Sequence, residues 1–327
     1  MSGARIEGRS IALAAVVVVL AVLPLGMRSE FWLGFWFVSL LFALLGQSWN
    51  VLAGYGGQYS FGHAAFFGTG AYATAVLQVQ FGLDPWSGAL AGVLLGTAVG
   101  AAIGALSFRY GLRGSYFALV TLAFAEVLRV AANSVAFTGG GVGILIPLKL
   151  GAAHFQFADR RGFYYVALAC VVLSLGAAHF IERSRFGARL IALRENEAAA
   201  QALGIDVART KLGAITLSAA LAALAGVLYA QYFLYLDPGV AYGPAVSIEA
   251  LLAPIVGGLG TMLGPLIGAV ALRALGEAAT WLTGGAPGLN LALYGALLIL
   301  VLWILPDGLI GLGGRLARIV SAERRHA

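Results

Sequence analysis

Apolar runs long enough to cross a bilayer follow one another along almost the whole chain, with the charged residues gathered into the joints between them. A helix needs roughly 20 apolar residues to cross the hydrocarbon of a membrane. The pattern fits about ten such spans, near residues 11–27, 31–53, 58–80, 85–107, 114–132, 162–181, 211–236, 245–260, 262–283 and 288–305. Hydrophobic residues are 61% of the chain and charged residues 10%, against about 25% charge in an ordinary soluble domain. A water-soluble fold would leave such a surface undressed. The expected fold class is all-α, a polytopic membrane helix bundle with Gly-rich broken helices.

One polar island interrupts this pattern at residues 182–211. It carries Glu182-Arg183-Ser184-Arg185 and then Arg194-Glu195-Asn196-Glu197, followed by an Ala-rich stretch ending at Gly204. Lys and Arg near span ends favour the cytoplasmic side. Ten spans with the N-terminus inside leave only Arg28, Lys149, Arg160 and Arg161 outside, with Arg129 and Arg273 within spans. Every other Lys and Arg, including those of the island and of both termini, then falls inside. The net charge of +6 is on this basis a topology signal, and nucleic acid is not an expected partner. Arg5 and Arg9 precede the apolar run Ile11 to Leu25, which is taken as a retained first span rather than a cleaved signal peptide. The single Cys170 falls mid-span, which leaves no disulfide framework and suits a small packed hydrophobe.

Several chemistries lack their residues. A nucleotide-binding P-loop needs Gly-Lys-[Ser/Thr], yet the two lysines, Lys149 and Lys211, follow Leu148 and Thr210. His63, His154, His179 and His326 show no paired metal-ligand spacing. No Gly-x-Ser-x-Gly elbow surrounds Ser60 or Ser115. No catalytic, cofactor-binding or metal-binding residue is expected in this chain.

The run Gly54-Tyr55-Gly56-Gly57-Gln58-Tyr59-Ser60-Phe61-Gly62-His63 is too rich in Gly to begin a plain helix, since each interior Gly costs about 1 kcal/mol relative to Ala. It marks a break between two spans. Broken backbone at membrane depth is tolerated where protein or a wet cavity satisfies its polar groups. Two readings therefore stand: a pathway lining formed by Gly56, Gly57, Gln58, Ser60 and His63, or tight helix packing through small residues such as Gly62, Gly68 and Gly70. A second break, Pro254 to Gly260 with Gly257 and Gly258 at its centre, occupies a corresponding place before Gly264-Pro265. Transporters often carry internal repeats with interrupted helices near the substrate route, so spans two to five and seven to ten are expected to be related halves.

Intramembrane charge is costly and marks function or pairing. Glu126 with Arg129 and Arg273 with Glu277 are spaced to pair on one helix face. Arg273 and Glu277 are expected to form a structural ion pair, and Glu126 to line a pathway; Glu249 is a further acid within a span. Thr138-Gly139-Gly140-Gly141-Val142-Gly143 falls in a long outer loop, where it either caps the pathway or turns the chain.

The blocks Gly54 to Gly70, Gly111 to Ala123, Thr138-Gly139-Gly140, Arg194 to Gly204, Gly257 to Thr261 and Leu305-Pro306-Asp307-Gly308-Leu309 occur together and in order. With them the chain resembles, nearly end to end, the inner-membrane permeases of high-affinity branched-chain amino acid ABC importers, the Liv-type M subunits. The resemblance implies a single transmembrane permease domain over 1–327 with a cytoplasmic coupling loop at 182–211. It further implies a multi-pass protein of the bacterial inner membrane, a second, paralogous permease subunit, two cytoplasmic ATPases that hold ATP and Mg, and a periplasmic binding protein. In such importers a Glu-Ala-Ala-x-x-x-Gly pattern docks on the ATPase. Here Ala199 and Ala200 take the alanine slots and Gly204 the glycine, while Ala198 stands in the Glu slot and Glu195 and Glu197 are the nearest carboxylates. The implied substrate is leucine, isoleucine, valine or a similar small zwitterion, with urea or short amides as the alternative cargo. The competing class is an ion-coupled secondary transporter, which shares broken helices and buried acids but has no use for an ATPase dock.

Overall fold

A computed structural model of the chain describes residues 2–27, 29–286, 288–305 and 308–311, including side chains except those of 2–12 and 302. Arg28 and the basic C-terminal residues from Arg315 onward lie outside the described residues. The main helices are α1 Ser2–Gly26, α2 Glu30–Trp49, α3 His63–Gln80, α4 Pro85–Arg109, α5 Gly114–Ser134 and α6 Arg160–Arg183. Two short helices, α7 Arg185–Glu195 and α8 Glu197–Ala202, make up the island. The chain continues through α9 Val207–Phe233, the single turn α10 Pro238–Ala241, α11 Pro244–Gly257, α12 Gly264–Leu282 and α13 Leu289–Ile304. Among the described residues the one departure from helix and loop is a two-residue antiparallel pairing of β1 Ile144–Leu145 with β2 Tyr235–Leu236, plus an isolated bridge. The protein is a multi-pass membrane helix bundle.

Each expected span corresponds to a helix. Six stretches are long and apolar enough to cross a membrane by themselves: Glu30–Tyr55, Pro85–Arg109, Gly114–Ser134, Arg160–Arg183, Val207–Phe233 and Pro238–Gly257. Leu13–Gly26 and Leu289–Val301 are apolar but shorter. The less apolar α3 is almost wholly enclosed by other helices from His63 to Val76, so small residues rather than lipid-facing ones suit it. α12 carries the Arg273–Glu277 pair, which lowers its hydropathy. The expected span at 58–80 begins instead at His63, because 56–62 is not helical.

Two groups of helices form the bundle. In one, α3, α4 and α9 pack against each other; in the other, α2, α11 and α12 do, and α2 joins the groups through α9. Close approach in the first group comes from a run of small residues on α4: Gly88, Gly92, Gly96, Gly100 and Gly104, one every four residues and so on one face. A Cβ at Gly96 would collide with Ala223, at Gly100 with Ala219 and at Gly104 with Ile215, all on α9. Lipid tails are as apolar as Leu, so helix association in a membrane rests on such packing. Asp84 starts α4 by accepting hydrogen bonds from the Trp86 and Ser87 amides, both at 3.1 Å, with Pro85 in the first turn. α6 holds α1 in turn: the Tyr164 hydroxyl donates to the Leu20 carbonyl at 2.6 Å.

Gly100→Leu is expected to destabilise the purified protein by about 1–3 kcal/mol through overpacking, seen as a lower unfolding temperature in detergent. Gly176→Ala, in α6 with nothing within 4 Å of the added carbon, should instead leave that temperature unchanged or raise it.

Candidate functional site

α2 does not close as an α-helix. It widens into a π-helical turn over Asn50–Tyr55 and passes through an irregular run to α3. In that run burial alternates: Gln58, Ser60 and Gly62 are buried, whereas Tyr59 and Phe61 are exposed. The backbone groups released by the break find side-chain partners. Trp49 Nε1 donates to the Ser60 carbonyl at 2.8 Å, the Phe61 amide to Thr121 Oγ1 at 3.2 Å, the Gly62 amide to Ser60 Oγ at 3.1 Å and the Ala64 amide to Ser247 Oγ at 3.0 Å. His63 Nε2 lies 2.9 Å from Ser218 Oγ, which itself donates to the Ser48 carbonyl at 2.7 Å. The Ser218 proton is thereby used, so Nε2 is the donor of the imidazole.

The second break lies against the first. Asn50, fully buried, donates from Nδ2 to the Thr261 carbonyl at 3.0 Å and accepts the Gly260 amide on Oδ1 at 2.8 Å. Its side chain occupies the place that a Cβ on Gly54 would need. Arg194, at the end of α7, donates from Nη1 to the Gly54 carbonyl at 2.8 Å. Gly57, at φ +66°, passes so close beneath Arg194 that a Cβ there would sit 2.9 Å from Cγ and 3.1 Å from Cα. Only Gly meets both demands without strain. From the other end of the island, Glu182 accepts the Tyr55 hydroxyl at 2.9 Å. The island is therefore seated directly on the first break.

Within the island, Ser184 caps α7 and Asn196 caps α8, each side-chain oxygen accepting an amide three residues on. Asn196 splits the island into two helices and sets the register of the second. Glu197 turns inward, 2.7 Å from Lys211 Nζ of α9 and 3.1 Å from Arg113 Nε at the start of α5. Lys211 is 3% exposed and lies over the Phe108 ring of α4. Ala198, Ala199, Ala202 and Leu203 face outward, and Gly204 ends the segment at φ +84°.

These positions revise several expectations. Ala200 is 2% exposed and is packed inside the chain, so it is removed from the outward face on which Ala199 and Gly204 remain. Ser60 and His63 are wholly enclosed, with Ser60 Oγ and His63 Nε2 bonded inside the bundle and His63 Nδ1 buried without a partner; the outward residues of the break are Tyr59 and Phe61. Gly56, Gln58, Gly257 and Gly258 are likewise buried. A Cβ at Gly257 would collide with the Gly264 carbonyl, which is the close-packing alternative. Glu195 stays exposed and holds Arg194 at 2.8 Å. Glu126 is exposed on α5 and takes Arg129 Nε at 2.8 Å. Arg273 pairs with Glu277 at 2.9 Å beside a cavity of about 210 Å³ that Glu249, Asn290 and Tyr294 also line. Asn50, Tyr59, Phe61 and Lys211 were not singled out as site residues. A lone Asn in an apolar span was the available signal for the first.

A membrane bundle whose two broken helices share one joint, with a polar segment seated on that joint, has the build of a transport subunit. The family profile described as "Branched-chain amino acid transport system / permease component" matches residues 31–302, and the chain belongs to that family. It is 31% identical over 303 residues to the high-affinity branched-chain amino acid transport system permease protein LivM of Salmonella typhimurium, covering 84% of this chain and 68% of the relative. To the Escherichia coli LivM it is 30% identical with the same coverage. The probable branched-chain amino acid transport permease protein LivH of Methanocaldococcus jannaschii is 31% identical over 176 residues, 52% of this chain and 55% of that one. The chain is thus similar to both LivM and LivH permease proteins.

Lys211→Met removes the buried one of the two cations that Glu197 meets and leaves it Arg113 alone, and stripping a partner from a buried ion pair is destabilising. Hydrogen exchange of the amides of 197–206 is expected to quicken by about tenfold, with Lys211→Arg restoring protection. Unchanged exchange would show that the ion pair does not hold α8.

Proposed function

We propose that this chain is one of two permease subunits of an ATP-driven importer of branched-chain amino acids in the bacterial inner membrane. Both termini and the island face the cytoplasm. Two cytoplasmic ATPases supply the hydrolysis, and a periplasmic binding protein delivers leucine, isoleucine or valine and sets the selectivity. The chain itself hydrolyses nothing and holds no cofactor; ATP and Mg belong to the ATPases. The observation that carries this reading is the outward face of α8, where Ala199 and Ala202 leave room for a partner surface while Glu197 anchors the opposite face to Lys211 and Arg113. A helix held from behind and bare of bulk in front suits a groove on an ATPase. The distribution of Lys and Arg supports the orientation.

The transport route lies between this chain and its partner permease. α5 supports that placement: it carries the exposed Glu126–Arg129 pair together with exposed Tyr116 and Leu119. Charges facing lipid are costly, so a second subunit covers this face. From the first break, Tyr59 and Phe61 contribute aromatic edges to the same assembly. An ion-coupled carrier would need no such dock.

The test is uptake of labelled leucine by cells expressing the full transporter, together with recovery of the ATPases on the purified permease. Ala199→Trp and Gly204→Trp are expected to reach the membrane in normal amount yet lose ATPase recovery and at least tenfold of uptake, since bulk in a fitted contact costs about 1–3 kcal/mol. Normal uptake and recovery in both variants would remove the α8 dock, and leucine uptake that persists without ATPases would remove the importer.

A further inference from the structure

The breaks and the island meet at one set of side chains, and this has a consequence for how motion passes through the protein. The Gly54 carbonyl is left over where the π turn unwinds, and Arg194 takes it up. The Gly260 amide and the Thr261 carbonyl are left over where α11 has ended and α12 has not begun, and Asn50 takes up both. Asn50 and Gly54 lie four residues apart in one turn, close enough that the Asn50 oxygen fills the space beside the Gly54 Cα. Arg194 also lies near the second break, since a Cβ on Gly260 would sit 3.1 Å from its Nη1. Glu195 holds the far side of the guanidinium, accepting Nε at 3.2 Å and Nη2 at 2.8 Å. A connected path thus runs by hydrogen bonds from Glu195 through Arg194 to Gly54, across the π turn to Asn50, and by hydrogen bonds again to Gly260 and Thr261.

We infer that Asn50 and Arg194 are the positioning residues that make the island and both broken helices move as one piece, converting displacement of α7 and α8 into rearrangement of the breaks. The inference rests on the reading of the chain as an ATP-driven importer and adds which contacts transmit the drive. Two features favour transmission over mere support. The bonds fall on the places where each helix is interrupted, so they act on the parts of the backbone that can change dihedral angles without breaking a regular helix. The island, moreover, bears on the break here through a planar fork in addition to the apolar packing of Leu190 and Leu193. A guanidinium held on one edge by Glu195 and on another by a carbonyl fixes direction as well as distance. Asn50 needs both its donor and its acceptor, because each bonds a different backbone group of the second break. Asp would keep the acceptor for Gly260 and lose the donor for Thr261.

The experiment measures ATP hydrolysis and leucine transport separately in liposomes holding the complete transporter. The wild type is expected to transport leucine in step with hydrolysis. Arg194→Ala, at a partly exposed position and with protein yield followed alongside, should retain the ATPases and hydrolyse ATP while leucine moved per ATP falls about tenfold, within the usual range of coupling between sites. Arg194→Lys should recover part of the ratio, since its ammonium reaches the carbonyl but lacks the fork. Asn50→Asp, which sets a carboxylate oxygen against the Thr261 carbonyl at a fully buried position, should lower the same ratio in the protein that assembles, whatever its yield. A structural role alone would lower yield and both activities together and leave the ratio intact. An unaltered ratio in Arg194→Ala and Asn50→Asp beside a coupled wild type overturns the inference alone. A wild type that recruits no ATPase overturns the importer reading and the transmission role with it.

Discussion

A helix interrupted inside a membrane leaves backbone amides and carbonyls that water cannot reach, and each must find a partner in the protein. The architecture follows from how that demand is met at two neighbouring interruptions. At the first, Trp49, Thr121, Ser60 and Ser247 supply the partners, drawn from α2, α5, the break itself and α11. At the joint of the two, Asn50 and Arg194 do so. Because the partners come from separate helices, satisfying the breaks also fixes how those helices sit around them. The Gly-rich composition belongs to the same solution: where a side chain such as Asn50 or Arg194 reaches a backbone group, the residue opposite it, Gly54 or Gly57, must give up its own Cβ.

Much of this was legible in the sequence. Hydropathy located the ten helices, the two Gly-Gly pairs located the breaks, and the Arg-rich stretch located the island. What escaped was direction. Sequence spacing put Ser60 and His63 with Gln58 as polar candidates for a wet wall, but all three are buried, Gln58 and Ser60 alternating with the exposed Tyr59 and Phe61 and His63 lying inside α3. Nothing in a Gly-rich stretch of this kind announces that its period has changed from that of a helix to two. Ala200 was misplaced for a related reason. The register of α8 is set by the Asn196 cap and the inward pull of Lys211 and Arg113 on Glu197, and those contacts are separated along the chain. Asn50 was hidden inside an apolar span whose partners on the second break are more than two hundred residues away.

The division of labour within the chain follows from these placements. The tightly packed α3, α4 and α9 form a stiff frame, pressed together by the small face of α4. The breaks beside that frame combine close packing with discrete polar contacts, and the polar contacts are the part suited to switch between arrangements. Interfaces and cores that are bistable carry small displacements further than a uniform solid would. The outward face of α8 and the charged, exposed face of α5 are the two surfaces to which the proposed function assigns partners, one for drive and one for the route.

The most direct measurement follows spin labels on three exposed positions, Ala202 on α8, Leu259 on the second break and Leu83 at the far end of the frame, in a Cys170→Ala background. Distances are taken in the assembled transporter without nucleotide and with ATP trapped. The Leu83–Ala202 and Leu83–Leu259 distances are expected to change together while Ala202–Leu259 stays constant. A shift of Ala202 that leaves Leu259 in place relative to Leu83 would contradict coupled movement of the island and the breaks.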